Sequence, residues 1–275
     1  MDWQRVIVAL IVGPVLIVAT YLDGWFYFVP VFVLLLTAGS EYSRIMGALN
    51  HNVPRGLLLP LIAAVLISAW EVEWNLMGPA LFVSLLVSLI YCLWLFERGG
   101  AVDAALDWFA IVTGIMLLGW IGGHFFLLRH LPGNGLQWAL VAVLCIWSAD
   151  MAAYGMGKFV AGRFVFGRHT LAPRLSPKKT VEGYVAGIVA GTLVALVLAA
   201  ILELSPLLAG IVGLVVSTLG LFGDLSISLL KREAGIKDSG TIFPGHGGAL
   251  DRIDSLVWAV AIVYYLVVFL GPLVS

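Results

Sequence analysis

Acids, hydroxyls and bases recur at helical intervals toward the end of a very apolar chain, in "STLGLFGDLSISLLKREAGIKDSGTIFPGHGGALDRIDS". Gly213, Ser217, Gly220, Asp224, Ser228 and Lys231 are spaced three or four apart, so a helix places them on one face. That face begins with small residues, which let a neighbouring helix come close, and ends with an acid, a hydroxyl and a base. Two readings of Asp224 stand. It is a helix-end carboxylate that reaches interfacial water or pairs with Lys231, or it is a metal ligand in a polar pocket, since an acid at that depth in a membrane is costly. Asp251 and Asp254, three apart at the start of the next apolar run, share one side of a helix. They stabilise its N-terminus through the dipole, or they offer further carboxylates to a divalent cation such as Mg²⁺, a hard ion that takes oxygen ligands and substrate phosphates together.

Other stretches suit phosphate. Pro244 to Gly248 is a loop by composition. The backbone N–H groups at Gly247 and Gly248 can line an anion-binding turn. His246 either hydrogen-bonds a phosphate or shapes the loop. In "APRLSPKKTVEG", Ser176 or Thr180 caps a following helix. Lys178 and Lys179 either anchor the membrane topology or hold a triphosphate at the helix N-terminus. Gly183, Gly187 and Gly191 then make a packing face. Asp150 ends another apolar run, with Tyr154 and Lys158 following on its face. It is a functional candidate or a local partner of Lys158. His51, His124, His130 and His169 show no partner pattern. Cys92 and Cys145 lie in apolar runs and read as packing residues.

The elements that must position these groups are membrane helices. Of 275 residues, 61% are hydrophobic and 11% charged, with a mean hydropathy of +1.06. A soluble domain carries about 25% charged residues, so the bilayer is the natural solvent. The net charge of −1 points to no partner, and nucleic acid is not expected as one. The expected fold is all-α and polytopic, with about nine spans near 5–22, 25–40, 56–70, 77–96, 106–128, 136–158, 181–203, 207–230 and 255–273. The second and third are short. The first reads as an uncleaved helix rather than a signal peptide, having one arginine before it and no small-residue cleavage site after it. The division is into an N-terminal set of about five helices, 1–135, and a catalytic region, 136–275, with loops at 159–180 and 231–254. With the N-terminus in the cytoplasm, Arg129 alone of the 15 Lys and Arg falls outside, while Asp23, Glu71, Glu73 and Glu203 line the outer loops. Both polar loops then face the cytoplasm, within reach of a soluble anionic substrate.

The stretch Ser228 to Asp254, "SLLKREAGIKDSGTIFPGHGGALDRID", resembles the signature of the phosphatidate cytidylyltransferases, also called CDP-diacylglycerol synthases. Ser228, Lys231, Arg232, Lys237, Asp238, Gly240, Pro244, His246, Gly247, Gly248, Asp251, Arg252 and Asp254 fit its fixed positions. Ala249 departs from it, standing where a larger apolar residue is usual. Gly223-Asp224 and "SPKKTVEG" are also similar, and the likeness is strongest over 148–254. The resemblance implies transfer of a cytidylyl group from CTP to phosphatidic acid, with release of pyrophosphate. It also implies Mg²⁺ or another divalent metal, with a second ion possible, and a homodimer in the cell's inner (plasma) membrane. It associates Asp224 and Asp251 with the metal, and Asp254 and Asp150 are weaker candidates. Lys178, Lys179, Lys231, Arg232, Lys237 and Arg252 are expected to neutralise phosphates, with Ser176, Thr180, Ser228, Asp238, His246, Gly247 and Gly248 orienting them. Rivals are a transporter, which needs ionisable groups near the membrane midplane, and a related enzyme that acts on another lipid phosphate or phosphorylates a polyprenol.

Overall fold

A backbone in hydrocarbon must satisfy its own N–H and C=O groups, and the helix does this within one segment. The computed structural model describes residues 15–100, 103–163, 167–242 and 247–274. The beginning of the expected first span and His246 lie outside the described residues. Residues 15–22 (α1) are helical. They are followed by α2 (Gly24–Ala48), α3 (Arg55–Trp70), α4 (Met77–Glu97), α5 (Ala104–Arg129) and α6 (Gly135–Val160). Next come β1 (Thr170–Ala172), β2 (Ser176–Thr180), α7 (Val181–Ile201), α8 (Pro206–Glu233), the single turn α9 (Leu250–Ile253) and α10 (Leu256–Val274).

The protein is therefore a helical, polytopic membrane protein. Among the described residues, seven helical segments are long and apolar enough to cross a bilayer: α2, α4, α5, α6, α7, α8 and Leu250–Leu273. At 16 residues, α3 rises about 24 Å, short of a hydrocarbon core of about 30 Å. The expected second span, 25–40, is longer than its apolar run, because α2 continues through polar residues to Ala48. The loop expected at 159–180 contains an antiparallel hairpin that pairs Thr170 with Thr180 and Ala172 with Ser176. Its strands are too short for alternation to mark them in the sequence.

The chain packs as two compact units, Met1–His130 with Leu230–Ile253, and Leu131–Leu229 with Asp254–Ser275. In the first, α5 is central, 72% buried over its most apolar stretch, whereas α4 is 17% buried and turns most of its surface outward. Leu35, Ile62, Leu66, Ile111, Ile115 and Leu118 are fully buried there. The Tyr27 and Tyr42 hydroxyls donate to the carbonyls of Phe125 and Ala110 at 3.0 and 2.8 Å, fixing α2 to α5. Phe28, Trp70 and Phe126 cluster at one end, with ring centroids 5.0–5.6 Å apart.

In the second unit the small-residue faces do what their spacing suggests. A Cβ on Gly187 would lie 2.9 Å from the Ala149 carbonyl oxygen, and one on Gly191 would collide with Ser217 Oγ. One on Gly213 would lie 2.8 Å from Thr192 Cα. Glycine thus lets α7 come against both α6 and α8. Between these helices Cys145 Sγ donates to the Gly191 carbonyl at 3.4 Å; Cys145 and, in the first unit, Cys92 are buried free thiols.

Candidate active site

Two polar clusters form, one in each unit. In the second unit, β2 runs directly into α7. Thr180 Oγ1 accepts from Gly183 N at 3.0 Å and so caps the helix. At the outer end of the hairpin, His169 Nδ1 pairs with Glu182 Oε1 at 2.6 Å, and Val181 N donates to the His169 carbonyl at 2.8 Å. This latch fixes the strand that carries Lys179. Lys179 Nζ donates to Asp224 Oδ2, and Ser228 Oγ donates to Asp224 Oδ1 at 3.2 Å. Local geometry explains why Lys179, rather than a lysine of its own helix, serves Asp224. Lys231 is seven residues further on, about 10.5 Å along the axis. The pair is reachable by solvent, with side chains 25% and 29% exposed. Lys178, the next residue along the strand, is exposed, and Ser176 is half-buried.

The same unit holds Asp150 and Asp254. Ser255 Oγ lies 3.3 Å from Asp254 Oδ1 and 3.5 Å from Asp150 Oδ2. Ser255 N donates to Asp254 Oδ1 at 2.7 Å. A Cβ on Gly223 would fall on the Asp254 carbonyl oxygen, so the residue before Asp224 packs directly on the start of α10. Lys158 donates to the Tyr154 hydroxyl at 2.6 Å. The expected single helix face for Asp251 and Asp254 is not found. The helical turn ends at Ile253 and α10 starts at Leu256. Asp254 sits in the break, where its carboxylate bonds to the next residue's amide, as a short acid does in a turn.

In the first unit, Lys231 Nζ donates to Asp251 Oδ1 at 2.5 Å, with side chains 10% and 6% exposed. Asp251 Oδ2 accepts from Ser239 N at 2.8 Å and from Gly248 N at 3.0 Å, and lies 3.0 Å from Ser239 Oγ. Gly247 has φ +81°, and a Cβ there would strike Asp251 Oδ2. Lys237, Asp238 and Arg252 are exposed, and Arg232 donates to the Ile236 carbonyl at 3.3 Å.

Sequence reasoning passed over Ser239, Ser255 and Glu41. Glu41 lies on α2, buried, and accepts hydrogen bonds from the segment before Asp251. Its one signal was an acid just past the apolar run of the second span.

Among the described residues no three His, Cys, Asp or Glu are grouped to hold a metal ion. The donor chemistry still fits Mg²⁺, which usually takes one or two protein carboxylates and completes its shell with water and substrate phosphates. Asp224 offers a part-exposed carboxylate of that kind.

The sequence model of the cytidylyltransferase family matches residues 3–270. The phosphatidate cytidylyltransferase of Synechocystis sp. is 32% identical over 303 residues, covering 100% of this chain and 99% of that protein. That of Pseudomonas aeruginosa is 33% identical over 269 residues, 94% of each. That of Bacillus subtilis is 39% identical over 146 residues, 52% of each. Matched along nearly its whole length, signature and N-terminal helices alike, the chain belongs to the cytidylyltransferase family.

Proposed function

We propose that the protein transfers a cytidylyl group from CTP to phosphatidic acid, giving CDP-diacylglycerol and pyrophosphate for phospholipid synthesis. The observation that carries this reading is the Lys179–Asp224–Ser228 cluster. It is a part-exposed group of phosphate-type chemistry on a membrane helix, in a chain of this family.

A phosphate oxygen of the lipid attacks the α-phosphorus of CTP in line. The new P–O bond forms as the bond to the β-phosphate bridging oxygen breaks, and pyrophosphate leaves with that electron pair. The nucleophile is already an anion, so proton removal is a small part of the barrier. Charge repulsion and positioning make up most of it. Lys178 and Lys179 neutralise phosphate charge beside Asp224, and Lys231, Arg232, Lys237 and Arg252 do so along the signature. Ser176, Thr180, Ser228 and Asp238 orient these groups, while Gly247 offers a backbone N–H group and Gly248 N–H holds Asp251. A divalent ion, Mg²⁺ by the donor set, would supply charge neutralisation at the phosphates. Asp224 would hold it, with water and substrate phosphate oxygens completing its shell, since Asp254 and Asp150 do not form a three-acid group with it among the described residues. Asp251, in the first unit, already accepts from Lys231 Nζ, Ser239 N and Gly248 N, so it would bind a cation only by giving up one of these three.

The topology we propose has nine spans with the N-terminus in the cytoplasm, in the cell's inner membrane, and it counts the short α3 as a span around which the bilayer thins. The chemistry is at the cytoplasmic face, and the protein is a homodimer, as the resemblance implies. The test is purified protein in detergent with CTP and a panel of lipid phosphates (phosphatidic acid, an isoprenoid ether lipid phosphate and a polyprenyl phosphate), with and without chelator. Pyrophosphate release with phosphatidic acid, abolished by chelator and restored by Mg²⁺, is expected. Release with only another lipid phosphate, or none at all, overturns the reading.

A further inference from the structure

Glu41 is an acid in a membrane helix, 4% exposed. Isolated, a buried carboxylate in such a setting is unfavourable by several kcal/mol, on the order of the cost of any unpaired buried charge. Here it is enclosed by donors from the signature. Oε1 accepts from Ala249 N at 3.0 Å. Oε2 accepts from Leu250 N at 2.9 Å and from Ser239 Oγ at 2.8 Å. Asp251 grips the same two pieces of chain through Ser239 N and Gly248 N. Three residues along α2 from Glu41, Arg44 donates to the Ser239 carbonyl. Ser239 is thus held at its N–H, its hydroxyl and its carbonyl, and it is fully buried.

The fit leaves room for nothing else. A Cβ on Gly240 would fall on Glu41 Oε1, and one on Gly248 would fall on both Glu41 oxygens and Ser239 Oγ. A carboxylate is not needed merely to pack α2, where an apolar side chain would fill the space without desolvating a charge. Three donors converging on it, from residues 239, 249 and 250, indicate a job in shaping the signature.

We infer that Glu41 is a positioning residue for the reaction. It fixes residues 239 and 248–250, and through them the N–H groups that aim the Asp251 carboxylate at Lys231. The inference rests on the function proposed above. Loss of such a supporting hydrogen-bond partner typically lowers activity about 10- to 100-fold.

The test compares Glu41→Gln, Glu41→Asp, Ser239→Ala and the Glu41→Gln/Ser239→Ala double variant, purified in detergent, for kcat and for KM toward CTP and phosphatidic acid per folded molecule. Glutamine keeps the shape but turns an N–H₂ toward amide donors. The expected result for Glu41→Gln is a kcat lower by about 10- to 100-fold with KM changed less than about twofold, and a partial return of kcat in Glu41→Asp. The double variant should lose no more than the worse single one, because the two act as a unit. Hydrogen exchange at the amides of 239, 249 and 250 should speed up in Glu41→Gln. A kcat within about twofold of wild type, or losses that multiply in the double variant, overturns the inference. If the wild type itself turns over nothing, the proposed function has failed. Unchanged exchange at those amides then shows separately that Glu41 does not hold the segment.

Discussion

Lys231 Nζ meets Asp251 Oδ1 at 2.5 Å, with both side chains nearly withdrawn from solvent. Within one packing unit this pair ties the last turn of α8 to the first turn of the following membrane segment, twenty residues on. Breaking such a pair from one side leaves a charge buried without a partner, which costs about 3–5 kcal/mol. Lys231→Met and Asp251→Asn should each lower the melting temperature in detergent by on the order of 10 °C and abolish turnover. The Lys231→Met/Asp251→Asn double variant has no unpaired charge, and its asparagine still accepts from Ser239 N and Gly248 N. It should melt above either single variant while staying inactive. Thermal scans beside pyrophosphate release separate the two effects. A double variant that melts below both singles would refute the charge argument.

Lys179 and Asp224 behave oppositely because they are part-exposed. A solvated ion pair contributes at most about 1 kcal/mol to stability, so Asp224→Asn should fold and melt like wild type. Its kcat should nevertheless fall by about 100-fold or more, as expected for a group acting on developing charge. Lys179→Met should raise KM for CTP as well as lower kcat. An Asp224→Asn protein with near-wild-type turnover would remove Asp224 from the chemistry.

What the sequence discloses and what it withholds divide along physical lines. Apolar runs are set by the bilayer thickness, so the helical segments are readable from hydropathy. Gly183, Gly187, Gly191 and Gly213 are readable because close helix contact requires small residues at helical spacing. Side-chain partners across the chain are a different matter. Spacing offers Asp224 a neighbour on its own helix, yet the ammonium that reaches it comes from a hairpin 45 residues earlier. Glu41 is further removed, 198 residues from Ser239. Nothing in a local pattern records such a bond, and the acid fell just beyond the limit expected for its span. The break at Asp254 was hidden for a related reason. The spacing of two acids assumes an unbroken helix, and a turn made by Asp254 and Ser255 defeats it.

Both native cysteines are buried, so the proposed topology can be read with introduced thiols. Arg174 and Glu73 are exposed and belong to none of the residues assigned to the chemistry. Arg174→Cys in sealed inside-out vesicles should react with a membrane-impermeant maleimide, and Glu73→Cys should react only after the vesicles are opened. The wild type should stay unlabelled in both. Labelling of both sites from the same side would rule out the nine-span arrangement.

Gly248 and Gly235 are both loop glycines of the signature, and the structure separates what each requires. Gly235 has φ +68° with nothing within 4 Å of a would-be Cβ. Gly235→Ala pays only backbone strain, about 1–2 kcal/mol, and should keep wild-type kcat. Gly248 is free of that strain but crowded, since its Cβ would land on the Glu41 carboxylate and on Ser239 Oγ. Gly248→Ala must push Glu41 away from the amides of Ala249 and Leu250. The result expected is a loss of about 1–3 kcal/mol from overpacking together with a kcat reduced at least tenfold. Melting curves and turnover for the two alanine variants provide the comparison. If Gly235→Ala proved the more damaging to kcat, backbone conformation rather than the grip of Glu41 would govern this loop.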